Sequence, residues 1–253
     1  VTSVTDKSSN AYILSNSANF TYRPLAFNSI YSAFVSNGVG GALGINTAFT
    51  TSNSPYTILA VGNSTGNNDS YLYDSTDSTY RNAIFAADNS MYPVGLSGAS
   101  GSMNANYLIV DVWNSSLNVQ YLNGTQTGSN VAAQGNMVGI TLGNRYALNG
   151  QYQGALCEIL FFRGVLSTVN RQTLEGYLAW KWGIQNNLPL AHPYKSSAPS
   201  AGFVNPIGTI TSDIYSNLTI TPTYKVRLLS PTEWRYITSN VSGSSLDLSA
   251  SSN

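Results

Sequence analysis

Charge is scarce in this chain. Only 9% of its 253 residues are Asp, Glu, Lys or Arg, and eleven basic residues balance eleven acidic ones. Such neutrality gives no electrostatic grip on nucleic acid or on an anionic membrane surface. There is one cysteine, Cys157, so no disulfide can form within the chain. The fold must then rest on its hydrophobic core, which this length permits. Cys157 lies in the apolar run Ala155 to Phe162 and reads as a buried thiol. The single histidine, His192, has no cysteine or carboxylate cluster beside it, so neither a zinc site nor a catalytic triad is legible. It reads as a loop anchor. No Gly-x-Ser-x-Gly elbow marks a serine nucleophile. No stretch nears the roughly 20 apolar residues of a membrane-spanning helix. No secretion signal is visible, but Val1 is not a natural start, so the missing signal excludes nothing.

What is present is uncharged polarity. The chain holds 28 Asn, 35 Ser and 22 Thr, with 22 Gly and 17 Tyr. Hydroxyls and amides wet the surface of a β-rich protein and fill its turns. Seven Asn-x-Ser/Thr triplets begin at Asn19, Asn63, Asn68, Asn114, Asn123, Asn217 and Asn240. Chance alone yields about six in this composition, so they carry no signal.

Short strand-like runs recur between Gly, Asn and Ser clusters: Tyr56–Gly62, Tyr71–Asp74, Asn82–Ala86, Tyr107–Trp113, Leu117–Leu122, Met137–Leu142 and Ala155–Phe162. β-Branched and aromatic residues dominate Tyr107–Trp113, while Leu117–Leu122 alternates apolar and polar. Asn114–Ser116 turns between them, and Asn123-Gly124 supplies the positive-φ pair of a tight turn. Many antiparallel strands without interleaved helices mean a sandwich or barrel. One segment departs from this pattern: residues 167–183 read as an α-helix. Ser167 caps its start, Leu174, Tyr177, Leu178 and Trp182 form an apolar face, and Gly183 ends it. Trp113, Trp180 and Trp182 read as core. The texture changes after Pro199, where Leu218–Ile220, Tyr224–Leu229 and Trp234–Ile237 look like further strands and Gly243–Asn253 is mostly Ser and small residues. A boundary is expected near Ala198–Phe203, giving a domain over 1–198 and a β-rich extension or assembly arm over 199–253.

The block Glu175-Gly-Tyr-Leu-Ala-Trp-Lys-Trp-Gly-Ile, continuing to Leu188-Pro and His192-Pro-Tyr-Lys, resembles the concanavalin A-like, laminin-G-like domains of large DNA virus, phage and bacterial surface proteins. Gly154-Ala-Leu-Cys-Glu-Ile-Leu-Phe-Phe, Asp6-Lys-Ser-Ser-Asn10 and Tyr121-Leu-Asn-Gly124 add to the resemblance, with Ser9 where the family has Gly. It covers residues 1–197. It implies an all-β jelly-roll sandwich with one edge-closing helix, a further strand ahead of Val1, and a place on a virion surface or outside the cell. It implies no activity. Glycosidases of this superfamily often carry Glu-x-Asp-x-x-Glu on one strand. The three Glu here, 158, 175 and 233, form no such motif. Paired carboxylates some 5–10 Å apart are what glycosidase chemistry requires. Glu158 is therefore expected to serve the scaffold as a hydrogen-bond acceptor for the helix or a turn, with backbone amides or Arg171 as partners.

Two further sets remain as site candidates. Asn144-Arg-Tyr146, with Tyr71, Tyr73 and Tyr80, offers the aromatic, amide and guanidinium groups that hold a glycan. Asp69, Asp74, Asp77 and Asp88 fall in one polar stretch and could supply oxygen ligands to a structural Ca²⁺ of the kind such sandwiches carry at the rim. Asx turns are their ordinary role, and the preferred one. The sequence therefore reads first as a non-enzymatic structural or adhesive module whose partners are other subunits of a virion or fibre. Unpaired strand edges of the C-terminal segment would join neighbours. The alternative is a carbohydrate-binding, lectin-like module, and a remote one is a glycoside hydrolase. No cofactor is expected beyond the possible calcium.

Overall fold

A computed structural model describes residues 3–5, 11–15, 20–37, 41–51, 55–65, 69–79, 83–87, 90–93, 105–114, 117–130, 137–199, 223–227 and 234–238. The chain divides into two compact units, Val1–Gly208 and Thr209–Asn253. The first contains fourteen strands: β1 (Ser3–Thr5), β2 (Ile13–Ser15), β3 (Thr21–Phe27), β4 (Tyr31–Asn37), β5 (Gly44–Thr51), β6 (Tyr56–Ser64), β7 (Ser70–Asp74), β8 (Ile84–Ala87), β9 (Ser90–Pro93), β10 (Asn106–Trp113), β11 (Asn118–Leu122), β12 (Thr125–Asn130), β13 (Met137–Leu142) and β14 (Gln153–Arg163). One helix, α1 (Thr168–Lys181), follows. The second unit holds an antiparallel ribbon, β15 (Thr223–Arg227) with β16 (Trp234–Thr238). The expected strand Leu218–Ile220 and the Gly243–Asn253 tail lie outside the described residues, as does Asp6–Asn10.

The fourteen strands make two seven-stranded antiparallel sheets. One runs β1-β2-β5-β13-β7-β8-β9; the other, the helix-bearing sheet, runs β12-β11-β10-β6-β14-β4-β3. Strands consecutive in the chain repeatedly change sheets, which is the jelly-roll sandwich expected. Apolar residues of both sheets form one core, with Leu14, Leu43, Leu72, Ile84, Ile140 and Leu142 from one side and Tyr56, Ile58, Tyr107, Ile109, Trp113 and Leu156 from the other. A chain of aromatic contacts crosses it. Tyr12 meets Phe49 at 5.7 Å, Phe49 meets Phe161 edge-on at 4.9 Å, Phe161 stacks on Tyr56 at 5.0 Å, and Tyr56 lies 6.0 Å from Trp113. Edge and offset contacts of this kind add to the stabilisation that burial gives.

The turns follow from their residues. Asn28 and Ser29 both take positive φ between β3 and β4, as do Asn123 and Gly124 between β11 and β12. That is the geometry of a two-residue hairpin turn. Helix α1 begins where Ser167 Oγ accepts the Asn170 amide. It ends in a Schellman motif. Gly183 adopts φ +67° and donates to Trp180 O, and Ile184 donates to Ala179 O at 2.8 Å. Its buried side is Arg171, Leu174, Glu175, Gly176, Leu178 and Ala179. Tyr177, expected on that side, is 40% exposed, with Lys181 Nζ 5.5 Å from its ring. Cys157, expected to be buried, is half-buried at a bulge of β14. Desolvation, then the neighbouring Glu158 charge, pushes its thiol up to about 12, so it stays protonated and unreactive at neutral pH.

The interior also holds polar groups. On the core side of the β10–β12 wing, Asp111 stands opposite Gln120, and Trp113 stands opposite both Asn118 and Tyr56. Both Asp111 oxygens, Asn118 Oδ1, Gln120 Nε2, Trp113 Nε1 and the hydroxyls of Tyr56 and Tyr73 are buried without a hydrogen bond of normal geometry. Desolvation raises the Asp111 pKa well above the usual carboxylate range, with Gln120 pulling weakly the other way. The folded chain therefore holds more protons at this site than the unfolded chain does. The stability Asp111 contributes is complete below its unfolded pKa of about 4 and is lost as pH rises toward the folded value. Asp111→Asn should thus unfold at higher urea than the native chain at pH 7, and its advantage should shrink toward pH 4. A gap that does not change with pH would contradict this assignment.

Candidate functional site

The expected glycan cluster is brought together in part. Asn144 is buried, and its Oδ1 accepts the amides of Arg145 (2.8 Å) and Gly150 (3.0 Å), folding residues 143–151 into a pinned loop. Asp74 pins the same loop by accepting the Tyr146 amide at 3.0 Å. The Arg145 guanidinium lies 5.8 Å from the Tyr71 ring and 5.3 Å from the Tyr146 ring, a cation–π arrangement. Tyr71 is only 5% exposed, and Tyr73 is wholly inside the core, where no ligand at the surface reaches it. Tyr80 lies outside the described residues. The loop therefore offers a ligand chiefly Arg145, Tyr146 and the exposed Leu148.

The aspartates behave as turn formers. Asp74 Oδ1 accepts the Ser75 amide, and Asp77 Oδ1 accepts the Thr79 amide. Asp69 is exposed with positive φ. Asp88 lies outside the described residues. Among the described residues no three His, Cys, Asp or Glu side chains gather in a way that could hold a metal ion.

The titratable groups at the helix form a clamp. Glu175, wholly buried, accepts from Arg171 Nη1 at 2.5 Å and meets His192 Nε2 at 3.1 Å. His192 Nδ1 accepts the Tyr194 amide, so Nε2 is the nitrogen that donates to Glu175. The expected loop anchor is thus tied to the helix. Arg171 also lies 3.7 Å over the ring of Tyr121 on β11. Tyr194 packs where a Cβ on Gly176 would come within 2.5 Å of it, and its carbonyl accepts Trp180 Nε1. Glu158, expected as a hydrogen-bond acceptor for the helix, is one: it accepts Lys181 Nζ (2.9 Å) and Trp182 Nε1 (2.7 Å). Arg171, named as a partner, is engaged by Glu175 instead. The Trp-Lys-Trp-Gly and His-Pro-Tyr segments are therefore joints of one device that lays α1 over the outer face of the sheet, from β11 to β14.

Beyond the helix's C-terminus no described residue covers the same outer face. A groove of about 400 Å³ lies there, lined by Arg23, Ser36, Asn63, Thr65, Asn106 and Ala155 together with Pro24, Ala26, Val35 and Gly154. Its floor is a cross-strand row: Asn106 on β10 pairs with Asn63 on β6, Asn63 with Ala155 on β14, and Ala155 with Val35 on β4. The small Ala155 in mid-row leaves the depression. A Cβ on Gly154 would come within 1.9 Å of the Asn63 carbonyl, so only glycine lets β14 approach here.

The amides are set by a relay. Asn63 Nδ2 donates to Asn106 Oδ1 at 3.1 Å, Asn106 Nδ2 donates to Asn28 Oδ1, and Asn28 Nδ2 donates to the Trp182 and Gly183 carbonyls at the helix end. Among the described residues no Asp or Glu lines the groove. Sequence reasoning missed this site entirely, since its floor comes from four strands with no shared local pattern.

No protein-family model matches the chain, and no curated protein does. Among solved structures, it is similar to domain 4 of AbnA, a GH43 extracellular arabinanase from Geobacillus stearothermophilus, in complex with arabinotriose. The TM-score is 0.46 at 13% identity, over 61% of this chain and 80% of that one. It is similar also to the CBM40 of the Ruminococcus gnavus IT-sialidase bound to α2,3-sialyllactose, with TM-score 0.38 at 11% identity over 53% and 94%. A Trypanosoma rangeli sialidase mutant displaying trans-sialidase activity matches at TM-score 0.49 and 14% identity over 66% of this chain. The match spans 30% of the sialidase, so this chain corresponds to a minor part of it.

Removing one partner of a buried ion pair strands the other. Glu175→Gln should therefore cost about 3–5 kcal/mol in urea denaturation. Glu158→Gln, at a pair whose lysine is 40% exposed, should cost under about 1 kcal/mol. Equal losses would show that the clamp is not what seats the helix.

Proposed function

We propose that this chain is a non-catalytic carbohydrate-binding module that works outside the cell, with the groove on the helix-bearing sheet as its site. The observation that carries this reading is the groove itself. It is shallow, open to solvent, and of a size at the lower end of small-molecule sites, roughly 300–1,000 Å³. Guanidinium, amide and hydroxyl groups line it, and these match the hydroxyl-rich surface of a sugar. The relay to the helix end fixes the two floor amides before a ligand arrives, which lowers the ordering cost of binding. The lack of a lining carboxylate supports binding rather than glycoside hydrolysis.

A second reading, a structural or adhesive subunit of a surface assembly, draws on the ribbon β15–β16. A two-stranded ribbon is marginal alone and gains stability against a neighbour's sheet. Light scattering separates the two readings, since a stable monomer removes the second.

The test of the first is a glycan array probed with the native chain, with Ala26→Trp and with Tyr146→Ala. Ala26 is exposed at the groove, so the bulky indole fills the site without disturbing the core. Binding should vanish in Ala26→Trp and persist in Tyr146→Ala. The reverse pattern would move the site to the 143–151 loop, and no binding by the native chain would end the proposal.

A further inference from the structure

We infer that the groove selects saccharides bearing an anionic group, a carboxylate or a sulfate ester, and that Arg23 is the residue that selects them. This deepens the carbohydrate-binding reading and rests on it. Arg23 stands on β3, opposite Ala33 and one step along from the Val35–Ala155–Asn63–Asn106 row. It is exposed, and among the described residues it has no carboxylate partner. The other lining side chains are uncharged. Among the described residues the groove therefore carries one positive charge and no negative one, in a chain whose net charge is zero.

The hydrogen-bonding capacity left over defines the ligand more closely. Asn106 is engaged at both ends of its amide, donating to Asn28 and accepting from Asn63. Asn63 keeps its Oδ1, an acceptor suited to a sugar hydroxyl. Arg23 keeps a planar donor fork, which is matched by a carboxylate or sulfate rather than by a neutral hydroxyl. A ligand that satisfies both must offer an anionic acceptor pair and a hydroxyl donor on one compact frame, which an acidic sugar residue does. A neutral sugar leaves the fork to water. A nucleic acid would need a row of such cations, and the groove has one.

The experiment is the same array, holding neutral, carboxylated and sulfated oligosaccharides, probed with the native chain, Ala26→Trp and Arg23→Gln. Carboxylated hits are then titrated as the acid and as its methyl ester, and sulfated hits beside their desulfated parents, which take the ester's place. The ligands lost in Ala26→Trp should be acidic. Each acid should bind roughly tenfold tighter than its ester, the gain expected of a charge-assisted pair open to solvent. Arg23→Gln should bring the acid down to the level of the ester and leave the ester unchanged, and added salt should weaken the acid alone. Whether carboxylated or sulfated glycans respond identifies the anion. Equal binding of acid and ester, or equal loss of both in Arg23→Gln, overturns this inference while the carbohydrate-binding reading stands. Absence of any ligand sensitive to Ala26→Trp overturns both.

Discussion

The buried carboxylate of Glu175 is the point on which the helix-bearing half of the sandwich depends. A charge placed at zero exposure is tolerable only if it is paired and hydrogen-bonded, and Glu175 has Arg171 on one oxygen and His192 on the other. Those partners come from two different segments, the helix and the loop after it. Satisfying one carboxylate therefore fixes both segments against the sheet. With α1 seated, its C-terminal carbonyls stand where Asn28 can donate to them. Asn28 in turn holds Asn106, and Asn106 holds Asn63. The amides of the groove are thus joined, through the seated helix, to an ion pair about two turns back along its buried side.

The outer face of the helix-bearing sheet is divided by this arrangement. Where α1 lies, its apolar side covers the sheet, with Leu174 and Leu178 buried. Where α1 stops, at the Schellman turn on Gly183, the sheet face continues but its covering does not. The row that continues is Asn106, Asn63, Ala155, Val35, polar at one end and small in the middle. A sheet face left uncovered and polar is solvated at no cost, and it is also free for a ligand. Gly183 matters twice here. It ends the helix in the left-handed region, and its lack of a side chain leaves room for the Tyr31 ring and for Asn28 Nδ2, between 3.2 and 3.5 Å from where a Cβ would stand.

The parts of this fold that were legible in the sequence are those whose signals are local. The Ser167 cap, the Gly183 stop, the Asn123-Gly124 turn and the apolar runs of β6, β10 and β14 each declare themselves within a few residues. The five strands before Tyr56 did not. β3 has six of its seven residues exposed, contains Pro24, and places Leu25 at φ 54°, so no alternation is readable. Such an edge strand is held by its neighbour rather than by a buried side of its own. The clamp was half legible: Glu175 and His192 belonged to the segment that stood out, but their pairing across seventeen residues is a tertiary fact. Tyr73 illustrates the opposite error. Two tyrosines spaced by one residue suggest a common face, but a bulge between Tyr71 and Tyr73 breaks the alternation and sends Tyr73 into the core.

Three arginines show why the groove, rather than the loop that first drew attention, is the better place for a ligand. Arg171 is engaged by Glu175 and lies on the Tyr121 ring. Arg145 sits between Tyr71 and Tyr146 on a loop already closed by Asn144 and Asp74. In both, the cation lies against aromatic rings of the protein itself. The third, Arg23, lines the groove. In a chain where one residue in eleven is charged, an arginine facing a depression without a counter-charge is unusual enough to require a reason. Its side chain buries no core and closes no loop, so what it can still do is meet something that arrives from outside. On the proposed reading, the carboxylate-free lining among the described residues sets the sign of that visitor, and the Asn63 Oδ1 left over by the relay accepts a hydroxyl from it.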